Sequence, residues 1–216
     1  MGGSSKKQTV GYRYRMGLHL ALCQGPVDAV QEIQMGDRTA WGDADRASLS
    51  SGHGLTSLSI NKPTLFGGDE REGGVVGTVD VLSGHAGQGR NDYLMSRLGS
   101  SIPAFRGVLS LVARKILFAA NNPYIKPWAV RVRRFTAGWF DAPWMEWNAE
   151  VRTWDEDEGR EISVGMNPAH ILVQCLTDPH WGMGYPQSTI GWSFWNAAWA
   201  LSSEGFGLNL IWTRQQ

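Results

Sequence analysis

The sequence predicts an α+β fold that is mostly β, an antiparallel sheet or barrel-like domain followed by a small helical unit with a further strand. Three observations lead there. Apolar residues recur with period two over residues 12–23 and 75–82, the spacing that places every second side chain on one face of a strand. Twenty-seven glycines among 216 residues supply many turns. Helical periodicity emerges only beyond residue 160, where Asn167-Pro168 offers a cap followed by a first-turn proline.

In chain order, residues 1–8 are small and polar and read as a flexible arm. Tyr12, Tyr14, Met16, Leu18, Leu20 and Leu22 alternate with Arg13, Arg15, Gly17, His19, Ala21 and Cys23. One long strand is expected there, with Tyr14, Leu18 and Leu20 buried, and Gly25-Pro26 stops it. Residues 29–35 and 38–41 form a hairpin around Gly36-Asp37. Residues 43–57 read as a surface loop and 58–60 as a short strand that breaks at Lys62-Pro63. Residues 75–82 carry four valines and a threonine and read as strand, with Val75, Gly77, Val79 and Val81 on one face. Asn91 or Asp92 caps a helix over 93–98 that Gly99 ends.

Residues 108–118 fit two periods. Alternation gathers Leu109, Leu111, Ala113 and Leu117, whereas a helical wheel gathers Leu111, Lys115 and Phe118; the flanking Arg106-Gly107 and Asn121-Asn122-Pro123 favour strand. Pro123 and Pro127 keep 124–128 extended, and in 129–136 Val130 and Val132 stand between Arg131 and Arg133. A β-rich domain over 9–140 is therefore expected. A linker over 141–160 follows, aromatic with Trp144, Trp147 and Trp154 and acidic over 155–158. Residues 161–216 make a second unit. Its first helix, 169–176, turns Ile171, Leu172, Cys175 and Leu176 inward. Its second runs from a cap at Ser188 or Thr189 to Ser203, with Trp192, Phe194, Trp195 and Trp199 as its apolar stripe. Gly205 ends it, and 207–213 begin a strand whose partner is expected from a continuation of the chain or a neighbouring protomer.

Composition narrows the function classes. Twenty basic residues balance twenty acidic ones, so no overall field favours nucleic acid. Eleven tryptophans favour an assembly subunit or a binding module, because large amphipathic rings concentrate at interfaces as well as in cores. Two cysteines, Cys23 and Cys175, form no spaced framework; buried thiols in a reducing compartment are expected. Residues 1–7 lead into no apolar segment, and no apolar run is long enough to span a membrane, so a soluble protein is expected.

No catalytic constellation stands out. His19 and Cys23 share a strand face but lie roughly 13 Å apart, too far to hold one metal ion. Asp69, Glu70 and Glu72, like the acids at 155–158, sit in polar stretches where nothing would raise a carboxyl pKa for acid catalysis. The glycine-rich GDEREGG and GHAGQG lack the Lys-Ser/Thr of a phosphate loop. No catalytic, metal-binding or cofactor-binding residue is assigned, and no cofactor is expected. Lys126, Arg131, Arg133 and Arg134, with Tyr124 and Trp128, could line a nucleic-acid strip, but the neutral net charge favours a charged strand face. Together with the basic face of the first strand, Arg13, Arg15, Tyr124, Lys126, Trp128, Arg131 and Arg133 are the candidate subunit-interface residues.

The stretch from Leu65 to Phe135, with LFGGDEREGG, GQGRNDYL and NNPYIKPWAVRVRR, resembles the N-terminal part of the tail-tip (baseplate) hub proteins of long-tailed bacteriophages. The resemblance extends to GGSSKKQTVGYRYRMGLHLALCQGPVDAVQEI at the start and to NPAHILVQCLTDPHWGMGYP and EGFGLNLIW at the end. It implies a structural virion component: a homotrimeric hub that closes the tail tube. Such a hub contacts the distal tail protein, the tape measure protein and other tail-tip proteins, and opens to release DNA through its lumen, with no membrane anchor. Residues 9–140 would then be a hub ring domain and 161–216 the start of a further one. Hub proteins are longer than this chain, so the resemblance implies either a piece of a hub or a minimal version. The alternative from another class is a carbohydrate-binding or glycan-cleaving module of the host-attachment apparatus, its tryptophans stacked on sugar rings.

Overall fold

A computed structural model describes residues 12–42, 55–120, 124–134 and 149–209. Strand accounts for 43% of the chain and helix for 19%, all sheets are antiparallel and no barrel closes among the described strands, so the α+β, mostly β class stands and its barrel-like variant does not. The chain divides into two compact units, Met1–Arg133 and Arg134–Gln216.

Among the described residues the first unit holds seven strands. β1 (Arg13–Gln24), β6 (Val108–Ala120), β5 (Val75–Leu82) and β4 (Leu55–Lys62) form a four-stranded sheet in that spatial order. β3 (Arg38–Trp41), β2 (Ala29–Met35) and β7 (Trp128–Arg133) form a three-stranded one. Their inner faces share one core, in which Ile33, Met35 and Trp41 meet Leu58, Val79, Leu111 and Ile116. Alternation places Trp128, Val130 and Val132 of β7 against that core. The strand starting at Leu55 is longer than the 58–60 expected, because it pairs with β5 residue for residue from Leu55↔Leu82 to Lys62↔Val75. Pro63, with no N–H to give the ladder, ends it.

β1 is the single long strand expected, but its burial is not. Tyr14 is exposed, and Leu18 and Leu20 are only half-buried. Among the described residues β1 has β6 as its one ladder neighbour, and an edge strand is sealed on one side only. Cys23 near its end is exposed and Cys175 half-buried, so the expected burial of both thiols is not met.

β6 resolves the ambiguity at 108–118 as strand and shows its cause. Leu109, Leu111 and Ala113 point into the shared core, but so do Ile116 and Phe118. The phase changes at Lys115, which adopts φ 50°. Opposite it, Leu18 pairs with Ala113 and Met16 with Ile116, so three steps on β6 face two on β1. This is a β-bulge, and it turns Leu117 to the opposite face from that expected. On the other flank Gly77 (φ 151°) receives the bulge. A Cβ there would lie 2.9 Å from the Ile116 Cα, which only glycine avoids.

The outer face of the four-stranded sheet is covered over part of its area by α1 (Asp92–Leu98), whose Leu94 packs on Leu82 and Val112. Asn91 caps α1 by accepting the Leu94 N–H at 3.0 Å, and its amide donates to Asp80 Oδ2 at 2.6 Å. Asp80, fully buried on β5, also accepts from Ser57 Oγ at 2.7 Å and Arg114 Nε at 2.6 Å. Arg114 turns its other nitrogens to Asp92 at the start of α1. That contact holds the Asp92 carboxyl below its ordinary pKa and raises that of Arg114. One buried carboxylate thus joins three strands, β4, β5 and β6, to the cap of a helix.

In the second unit β8 (Glu150–Asp155) and β9 (Arg160–Met166) form a hairpin. The expected linker over 141–160 is corrected here for residues 150–159. The acidic run is the hairpin turn, tightened by Asp155 Oδ1, which accepts the N–H groups of Asp157 and Glu158 at 2.9 and 3.0 Å. Trp139, Trp144 and Trp147 lie outside the described residues. α2 (Pro168–Thr177) is capped by Asn167, whose side chain accepts from the Ala169 N–H and donates to the Ala198 carbonyl of α3 (Trp192–Ser203) at 2.7 Å.

This tether brings Ala169 and Ala198 inward. The buried stripe of α2 is therefore Ala169, His170, Val173, Gln174 and Thr177, while Leu172 is exposed. Of the stripe expected on α3, Phe194 and Trp195 pack against the core formed by Met166 and Val173, whereas Trp192 and Trp199 are exposed and Ala198 is the fully buried residue. Leu208 pairs with Met166 through two backbone bonds of 2.7 and 3.0 Å, so an earlier strand of the same chain meets the first residues of the expected strand. Residues 210–213 lie outside the described residues.

Two stability outcomes follow. Gly77→Ala should lower stability by about 1–3 kcal/mol, whereas Lys115→Gly should be close to neutral, because relief of the left-handed strain offsets the entropy of glycine. Asp80→Ala, which strands buried donors, should cost about 2–4 kcal/mol and release hydrogen-exchange protection in α1 first. Urea midpoints and amide exchange check both.

Candidate functional site

Where α1 does not cover the outer sheet face, a cleft of about 340 Å³ opens. Its floor is a row of residues in register across all four strands: Arg15 faces Leu117, Leu117 faces Val76 and Val76 faces Asn61. The row crosses the sheet over roughly 14 Å at about 4.8 Å per strand. Arg13 stands two residues before Arg15 on the same strand face and also lines the cleft.

The wall is the β4–β5 connection, residues 63–74. Gly68 and Gly73 bond each other reciprocally at 3.1 and 2.7 Å, and the Gly67 N–H donates to the Thr64 carbonyl at 2.9 Å. Gly74 lets the loop return against its own base; a Cβ there would sit 2.2 Å from the Lys62 carbonyl oxygen. The loop is held in shape by its own backbone hydrogen bonds.

Its charges are unequal. Arg13 Nη2 meets Asp69 Oδ2 at 2.6 Å, with both side chains about two-thirds exposed; such a pair contributes no more than about 1 kcal/mol. Among the described residues Arg15 makes no ion pair or side-chain hydrogen bond. The cleft therefore presents one neutralised and one available guanidinium beside an apolar floor.

The structure brings together only some of the seven candidate interface residues. Arg13 and Arg15 share the cleft. Lys126 serves the other side of the same loop, its Nζ 2.6 Å from Glu72 Oε2 and 4.8 Å from the centre of the Phe66 ring. Arg131 pairs with Glu32 across β2 and β7, Arg133 is half-buried at the end of β7 and Tyr124 is 81% exposed. Trp128 is corrected. It is half-buried against the inter-sheet core, its ring edge-to-face with Phe118 at 5.6 Å, because alternation puts it on the Val130 face rather than the arginine face.

Sequence reasoning missed Asn61, Thr64, Val76 and Leu117. The paired glycines at 67–68 and 73–74 were a legible sign of a tight loop, but Leu117 reaches the cleft only through the bulge. Among the described residues no group of three or more His, Cys, Asp or Glu could hold a metal ion, and no helix is long and apolar enough to cross a membrane. No family model matches the chain, and no curated protein is significantly similar to it.

Glu32 shows how firmly the β2–β7 face is set. Hydrogen bonds from Thr39 at 2.6 Å and Gln34 at 2.9 Å, then from Arg131, lower its pKa from 4.5 to about 2. A depressed folded-state pKa contributes stability that is complete above the unfolded value and lost as pH falls through the folded one. Glu32→Gln should therefore flatten the loss of stability between about pH 5 and pH 2, read as urea midpoint against pH.

Proposed function

We propose that this chain is a structural subunit of a bacteriophage tail tip, part of a homotrimeric hub that closes the tail tube at the virion. There it contacts the distal tail and tape measure proteins and takes part in the gating of DNA release. The resemblance of the glycine-rich loop, the arginine-bearing strand and the 167–186 segment to hub proteins supports the reading.

The observation that carries it is the surface of the second unit. Among the described residues of that unit nine large apolar side chains are exposed, among them Trp154, Trp181, Trp192, Trp199 and Phe206, while the hydrophobic cluster has two buried members, Met166 and Val173, with Ile171, Ile190, Phe194 and Trp195 packed against them. A unit with so small a core and so much exposed aromatic area is better suited to assembly than to life alone. Among the described residues the outer edges of β1 and β4 have no ladder partner, and such edges are further sites at which another chain can add.

The exposed tryptophans also favour a second reading, a carbohydrate-binding module. Against it, the cleft holds one carboxylate, Asp69, and no tryptophan, where glycan cleavage would need two carboxylates.

Sedimentation of the 216-residue chain over a wide concentration range gives the first test. The expected result is mass-action assembly toward a trimer, with Trp192→Ser and Trp199→Ser shifting it to monomer. A monomer at every concentration, with cooperative unfolding and measurable binding to peptidoglycan or polysaccharide, would replace the hub reading with the second.

A further inference from the structure

The cleft combines features that a purely structural sheet face does not need. Leu117 and Val76, half-buried, form an apolar floor. Arg13 and Arg15 stand at one end, roughly 7 Å apart as alternate residues of a strand, and Asn61 with Thr64 stands at the other. The loop that walls it is stiffened by its own backbone bonds. Its volume lies within the roughly 300–1,000 Å³ of ordinary ligand clefts.

We infer that this cleft is a recognition site for an acidic, extended polypeptide segment of a partner protein, which sets a carboxylate on Arg15 and an apolar side chain on Leu117 and Val76. Charge complementarity selects the acid. Arg15 is available, and the exposed Arg13–Asp69 pair is weak enough for an incoming carboxylate to compete for Arg13, where a planar guanidinium can bind it through two parallel bonds. The floor selects a polypeptide over a free anion, since phosphate would cover Arg15 and leave Leu117 and Val76 wet. The same apolar floor disfavours a nucleic-acid backbone, which would set phosphate and sugar rather than an apolar side chain on Leu117 and Val76. Asn61 and Thr64 provide the polar groups that an extended main chain requires at the far end.

The inference deepens the reading of this chain as an assembly subunit, and its test fails separately from that reading. The probe is a fluorescein-labelled peptide, acetyl-Leu-Asp-Leu-Asp-Leu-amide, titrated with the full chain at low salt. Its Asn-for-Asp counterpart serves as control. Saturable, salt-sensitive polarisation is expected for the acidic peptide alone. Arg15→Glu and Val76→Lys should each weaken it at least tenfold, and Arg38→Glu, on the other sheet, should leave it unchanged. Arg15→Gln covers the case in which Arg15→Glu lowers the urea midpoint.

Equal binding of both peptides, or binding indifferent to Arg15, overturns the inference. Displacement by inorganic phosphate, but not by chloride at equal ionic strength, reduces the cleft to a small-anion site and overturns the polypeptide ligand. Self-association that Arg15→Glu abolishes and the peptide blocks would make the occupant a second copy of this chain rather than a separate partner. Loss of peptide binding with trimer formation intact would remove the ligand and leave the hub reading standing.

Discussion

Everything in the first unit turns on β6 keeping two ladders while changing face halfway along. It pairs with β1 on one side and β5 on the other, so neither neighbour can move aside for the extra residue at Lys115. The strain is taken up at two points, the left-handed backbone of Lys115 and the missing Cβ of Gly77. What the bulge provides is a sheet with two different outer regions. Before it, Val112 and Arg114 face outward and meet α1; after it, Leu117 faces outward and becomes cleft floor. Without the extra residue Leu117 would enter the core and Ile116 would be turned out of it.

Two buried polar side chains then fix what the sheets leave free. Asp80 draws Ser57, Asn91 and Arg114 to one carboxylate, and Asn167 joins the start of α2 to the middle of α3. In each case a helix cap is tied to an element distant in sequence. A buried polar group costs free energy unless satisfied, so each network admits one docking geometry. The helices are short, seven residues in α1 and ten in α2, and helices of that length are marginal by themselves. The caps place them where the small apolar clusters alone would not.

The same economy explains where interaction surfaces remain. The shared core consumes the inner faces of both sheets, and α1 covers part of one outer face. Among the described residues the uncovered part of that face lines the cleft, the outer edges of the four-stranded sheet have no ladder partner and aromatic side chains of the second unit are exposed. A cleft whose loop is held by its own backbone bonds loses little freedom on binding, whereas exposed tryptophans gain from being covered by a partner. On the proposed reading, the first surface serves selective recognition and the second serves burial against other subunits.

Local chemistry alone determined a good deal of this protein. Period-two runs located β1, β5 and β7, and the hairpin around Gly36-Asp37 located β2 and β3. Gly36-Asp37, Pro63 and Gly99 marked turns and ends, and Asn91 and Asn167-Pro168 marked helix starts. Each of these signals acts within a few residues and does not depend on distant neighbours. The sheet order, the edge position that leaves Tyr14 exposed, the inward rotation of α2 and the reading of Trp128 as a core ring were decided by tertiary structure. So was the cleft, which joins Arg15, Leu117, Val76 and Asn61 from four strands. The physical reason is that burial belongs to a face, and a face is defined only once neighbours are chosen; one extra residue in β6 reverses it without leaving a trace in composition.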